Sequence, residues 1–113
     1  MKPETQDWTD KAEGDWKVAQ RESQATDPVW NVITFLSQQC AEKYLKGFLE
    51  ENNIRFRKTQ DLALLLDTCG GSIPELTSWR PRLAHLSTFG ISARYPGVEA
   101  IQQDGEESLE IAD

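Results

Sequence analysis

Between residues 29 and 51, Ile33, Leu36, Cys40, Tyr44, Gly47 and Phe48 recur at intervals of three and four with no proline among them. An apolar period of that kind is helical, since a half-buried strand would alternate every second residue. The stretch predicts a helix of about six turns. Val32, Phe35, Leu45 and Leu49 broaden its stripe, and Gln38, Gln39, Glu42, Lys43 and Lys46 flank it. Glu42 and Lys46 stand four residues apart in the order that favours an ion pair. The sequence shows no internal repeat and no credible strand pairing beside this helix, so the chain is read as all-α.

The remaining segments supply the partners. A first helix is expected from Asp7 or Thr9 to Ser23 or Gln24, with Trp8, Ala12, Trp16 and Ala19 facing inward and Gly14 available for close packing. Thr26-Asp27-Pro28 separates it from the long helix, and Asn52-Asn53 ends that one. Ile54-Arg55-Phe56-Arg57 alternates apolar and polar as an extended link does. A third helix starts at Thr59 or Asp61, runs through Leu62, Leu65 and Leu66, and stops at Gly70-Gly71. Ser72-Ile73-Pro74-Glu75 has the form of a capping segment, so a fourth helix is expected from there to about Ser87, with Pro81 placed to kink or divide it. Residues 90–97 are read as a loop, and residues 106–113 either begin a fifth helix or form a solvated acidic tail. These elements predict one domain: an antiparallel up-and-down bundle of four to five helices.

Composition limits what such a bundle can do. There is no apolar run long enough to span a bilayer and no apolar leader at the N-terminus, which points to a cytoplasmic protein without membrane contact. Cys40 and Cys69 lack paired spacing and are expected as free thiols. With a single histidine, a cysteine- or histidine-based metal centre is not expected, and no cofactor is implied. The net charge of −7 argues against a protein that coats nucleic acid by its overall field. Arg55, Arg57 and Lys58 nevertheless occur in an acid-free stretch, as do Arg80, Arg82 and Arg94. The body is acidic and the surface locally basic.

Residues 35–46, Phe-Leu-Ser-Gln-Gln-Cys-Ala-Glu-Lys-Tyr-Leu-Lys, resemble the long second helix of the HEPN family, where Phe-x-x-Gln-Gln-x-x-Glu-Lys-x-x-Lys is frequent. Lys58-Thr59-Gln60-Asp61-Leu62 is similar to that family's Lys-Thr-His-Asp-Leu segment, and Arg94-Tyr95-Pro96 to its Arg-Tyr-Pro element near the last helix. Three motifs in the family's order are far more specific than one. Two departures stand out: Gln60 replaces the family's histidine, and the last helix, complete in other members, stops at Asp113. The resemblance implies a single HEPN-like domain over residues 1–113, frequently a homodimer, that binds a nucleotide or RNA. It also implies a nucleotidyltransferase partner in a toxin–antitoxin arrangement.

Some members of the family are ribonucleases that use an arginine followed four to six residues later by histidine. Arg80 and His85 have that spacing and form the candidate catalytic pair of a metal-independent ribonuclease, with arginine stabilising phosphate charge and histidine as acid or base. Five positions on a regular helix turn by about 140°, so the two would not share a face unless Pro81 breaks it. Arg94 can fork onto a phosphate and Tyr95 can stack on a base, or the two can pack the bundle end with Arg94 paired to Asp61. Lys43, Lys46, Arg57 and Lys58 extend the candidate nucleotide- or RNA-binding site, unless they are solvated faces. Trp8, Trp16, Trp30 and Trp79 are expected as core or interface anchors. The leading expectation is a non-enzymatic binding module. A ribonuclease and a helical protein-interaction adaptor are the alternatives.

Overall fold

The structure, a computed structural model, describes residues 2–70 and 78–92. Among them are four helices and no strand: α1 (Pro3–Ser23), α2 (Trp30–Glu51), α3 (Leu62–Thr68) and α4 (Arg80–Ser92). The all-helical fold expected from the apolar period is the one observed. Gly71, the segment 72–75, Arg94-Tyr95-Pro96 and residues 106–113 lie outside the described residues.

Helix α2 packs against each of the other three. Its contacts with α1 run antiparallel: Lys2 meets Glu50 and Glu51, while Asp15 meets Lys43. The closest approach is at Gly47. A Cβ built there would stand 3.2 Å from the Trp8 Cβ and 3.8 Å from the Thr5 carbonyl oxygen, so α1 packs tightly against the bare Cα. Gly14, expected to serve this purpose, has no atom near its missing side chain and faces solvent. On the other side of α2, Leu45 and Leu49 join Leu62, Leu65, Leu66 and Cys69 of the α3 region and Leu83 and Leu86 of α4 in one buried cluster.

Helix α1 begins earlier than expected, at Pro3 rather than Asp7 or Thr9. Proline at the first helical position gives up an N–H that has no partner there anyway. Lys2 reinforces the start. Its backbone N–H donates to the Glu51 carboxylate at 3.1 Å, and its ammonium donates to the Glu50 carbonyl and the Asn53 side chain. A cation at the last turn of α2 also meets the negative end of that helix dipole.

Helix α2 ends as Asn52-Asn53 predicts. Asn53 has φ of 56°, its N–H donates to the Glu50 carbonyl, and Ile54 N–H donates to the Leu49 carbonyl at 2.9 Å. This is a Schellman closure, which turns the chain away and sends Ile54 back onto the core. For α3, Asp61 rather than Thr59 is the cap, accepting from Leu64 N–H at 3.2 Å. Gly70, at φ of 62°, terminates it.

Helix α4 departs most from expectation. It runs from Arg80, the start expected near Pro74 lying outside the described residues, and continues to Ser92 where residues 90–92 were read as loop. Pro81 therefore falls in the first turn, where it neither loses an intrahelical hydrogen bond nor kinks the axis. Leu83 and Leu86, three apart, bury the inner face. The Ser87 hydroxyl accepts from Leu62 N–H at 2.7 Å, tying the start of α3 to α4.

The two glycines should respond in opposite ways to a side chain. Gly47→Val drives atoms into α1 and should cost about 1–3 kcal/mol. Gly14→Ala, in open space on a helix, should stabilise by about 0.5–1 kcal/mol. Urea unfolding of both variants checks the pair of signs.

Candidate functional site

Four polar residues of α2 are not on its outer surface. Thr34, Gln38, Glu42 and Lys46 follow one another every fourth residue and all four are buried. Tyr44, placed by its spacing on the inward stripe, is instead 40% exposed. The polar row tolerates burial because its members satisfy each other. Lys46 Nζ lies 3.0 Å from Glu42 Oε2 and 5.6 Å from the centre of the Trp8 ring. Gln38 Nε2 lies 3.3 Å from Glu42 Oε1 and donates to the Gln60 carbonyl oxygen at 2.9 Å, while Gln39 donates to Gln38 Oε1 at 2.7 Å. A chain of polar contacts thus runs from α1, through α2, to the main chain just before α3.

The segment so anchored carries the basic residues. Along residues 54–57 the predicted alternation is observed: Ile54 and Phe56 turn toward the core, Arg55 and Arg57 toward solvent. Phe56 meets Trp8 edge to face, with ring centres 6.4 Å apart. Arg55, Arg57 and Lys58 are exposed and form no ion pair with a described residue. Between this link and α3 lies a cleft of about 390 Å³ lined by Arg55, Phe56, Arg57, Thr59, Leu64, Leu65 and Thr68. Among the described residues no acidic side chain lines it. The Thr59 hydroxyl accepts from Asp61 N–H at 3.1 Å, and that of Thr68 donates to the Leu64 carbonyl at 2.8 Å.

The other candidate residues are distributed differently. Lys43 is held by Asp15 of α1 at 2.6 Å and Lys46 by Glu42, so both lysines are engaged in helix packing rather than presented to solvent. Arg80 forks onto Asp67 of α3, with contacts of 3.0 and 2.9 Å. Hydrogen bonding within this pair holds the Asp67 carboxyl below its usual range and raises the guanidinium further. His85 is exposed on α4, a regular helix from Arg80 onward, so the two residues of the ribonuclease spacing point to different sides of it. Arg82 covers the Trp79 ring at 4.9 Å, and Trp79 packs on the core as an anchor. Arg94 and Tyr95 lie outside the described residues. Among the described residues no cluster of His, Cys, Asp and Glu is arranged to hold a metal ion.

A sequence model of the HEPN domain matches residues 5–113. The chain belongs to the HEPN domain family. No curated protein and no solved structure matches it. Among the described residues no helix is long and apolar enough to cross a membrane.

In this HEPN domain the residues that sequence reasoning passed over are Arg55, left out of the candidate site although its basic stretch was noted, and Leu64 and Thr68 on the far wall of the cleft. The alternation of residues 54–57 was the available signal for Arg55, because it puts Arg55 and Arg57 on one side of the link. Nothing in the sequence marks Leu64 and Thr68, which join the cleft only through the packing of α3.

Removing one partner of the buried pair should be far worse than removing both. Glu42→Ala leaves the Lys46 ammonium buried without its carboxylate and should cost about 3–5 kcal/mol, whereas Glu42→Met with Lys46→Met should cost much less. Unfolding free energies around a double-mutant cycle report the difference.

Burial raises the Cys40 thiol to about 12, with Asp15 adding to the shift, and burial raises Cys69 in the same direction. The thiolate is the reactive form, so burial suppresses reaction with alkylating reagents. Both thiols should resist iodoacetamide at pH 8 in the native protein and react once guanidinium unfolds it. Mass spectrometry of the labelled protein checks this.

Proposed function

We propose that this HEPN domain is a non-catalytic module that binds a nucleotide or RNA through the basic link between α2 and α3. The observation that carries the reading is the exposed set Arg55, Arg57 and Lys58 beside a cleft with no acid among its described lining residues, on a chain whose net charge is −7. Local positive charge kept unpaired at the rim of a concavity is what phosphate recognition requires. Lys43 and Lys46, also expected at this site from the sequence, are held in ion pairs with Asp15 and Glu42 and do not line the cleft. Arg94 and Tyr95 are proposed to add a phosphate fork and a stacking ring, from their chemistry in the sequence alone. In the cell the module is proposed to act in the cytoplasm as a homodimer of one-domain chains beside a nucleotidyltransferase partner. The family resemblance supports that assignment, and the buried free thiols Cys40 and Cys69 suit a reducing compartment.

The ribonuclease reading places catalysis at Arg80 and His85. It gains little from the geometry, since Arg80 is committed to Asp67 and the helix separates the two side chains.

A single experiment separates the readings. Fluorescently labelled single-stranded RNA of mixed sequence is incubated with the protein in chelator, and both anisotropy and chain length are followed. The binding module predicts association without cleavage. With Arg57→Gln and Lys58→Gln together, affinity should fall and the slope of log K against log salt should flatten by about 1.4, the value for two lost single-strand phosphate contacts. Cleavage that vanishes in His85→Ala would replace this reading with the ribonuclease. No association at any salt would leave the adaptor.

A further inference from the structure

We infer that the cleft between the α2–α3 link and α3 is a site for a terminal phosphate monoester, as carried by a free nucleotide or by the phosphorylated end of an RNA, rather than for the internal phosphodiesters of a strand. The inference rests on the binding reading above and narrows it to one chemical group.

Three features of the cleft point the same way. Arg55 and Arg57 are two residues apart on an extended link, so both guanidinium groups stand on one side of the chain and line one concavity. Two forked donors lining one cleft suit a group that offers three oxygens and about two negative charges, which a monoester does near neutral pH and a diester, with a single charge, does not. The volume of about 390 Å³ lies at the small end of ligand pockets and suits one nucleotide-sized unit. The opposite wall is apolar. Leu64, 37% exposed, presents a surface on which a base or other flat moiety can lie while the phosphate faces the arginines, with the buried Leu65 behind it.

The arginines are also placed rather than merely present. Ile54 and Phe56, the residues flanking and separating them, are packed against the core, and the Gln60 carbonyl is gripped by Gln38. A link fixed at both ends loses little freedom when a ligand arrives. Thr68, on the α3 wall, spends its proton on the Leu64 carbonyl and so offers lone pairs to a ligand donor.

The test compares four probes by methyl-labelled leucine NMR and by titration: adenosine, adenosine 5′-monophosphate, and one decaribonucleotide with either a 5′-hydroxyl or a 5′-phosphate. Adenosine monophosphate and the phosphorylated strand should shift the Leu64 and Leu65 methyl signals and compete with each other. Each should bind at least about tenfold more tightly than its unphosphorylated counterpart, as the loss of a doubly forked charge demands. In Arg55→Gln with Arg57→Gln, two exposed substitutions that leave the core untouched, this preference should disappear.

Equal binding of the two decanucleotides would overturn the inference while leaving RNA binding standing. A preference that survives in the double variant, or methyl shifts confined to other leucines, would overturn it by placing the site elsewhere. No binding of any probe would remove this inference and the broader reading together.

Discussion

Burying a carboxylate and an ammonium costs several kcal/mol for each ion unless the pair is close and its remaining hydrogen-bonding capacity is filled. Glu42 and Lys46 meet those terms. One carboxylate oxygen takes the ammonium, the other faces the Gln38 amide, and the Trp8 ring lies by the cation. The geometry of the bundle follows from what these groups require. Trp8 must come from α1, which needs the close approach at Gly47, and Gln38 must reach the end of the link, which sets where α3 begins. The apolar cluster around Leu45 and Leu49 supplies burial on the side facing α3 and α4, but apolar contacts alone are indifferent to small slips. The polar row is not.

The same row joins architecture to surface. A basic loop on an acidic protein is ordinarily pulled toward neighbouring carboxylates or left to wander in solvent. Here the chain is tied down immediately after α2 by the Schellman closure and before α3 by Gln38, with Phe56 wedged against Trp8 between them. The arginines are therefore presented by side-chain alternation on a fixed backbone. The nearest acids in sequence on either side, Glu51 and Asp61, are occupied: one accepts from the Lys2 N–H and the other caps α3.

Much of the fold was legible because hydrophobic period and chain punctuation are local properties. The extent of α2, its stop at Asn52-Asn53, the alternation of residues 54–57 and the glycine that ends α3 all come from neighbouring residues. Pro81 misled because proline has opposite meanings inside a helix and at its start, and only the start at Arg80 decides which applies. Gln38, Glu42 and Lys46 read as a solvated flank because hydropathy scores each residue alone, while their burial depends on mutual satisfaction. Gly14 and Gly47 are indistinguishable until the crossing point of α1 on α2 is known. The cleft needed most: Arg57 was visible as a charge, but Leu64 and Thr68 become its wall only when α3 folds back on the link.

Position 60 shows how such a domain can change its chemistry. The group gripped by Gln38 is the carbonyl of residue 60, and every amino acid brings that carbonyl with it. The lock between α2 and the link is thus blind to the side chain that stands there. Glutamine in place of the family's histidine leaves the lock unaltered while deleting the one group at that position able to trade a proton near neutrality. Structure and reactivity are written at position 60 in separate alphabets, main chain for the first and side chain for the second. A lineage can therefore retire an activity at that point, or acquire one, without renegotiating its fold.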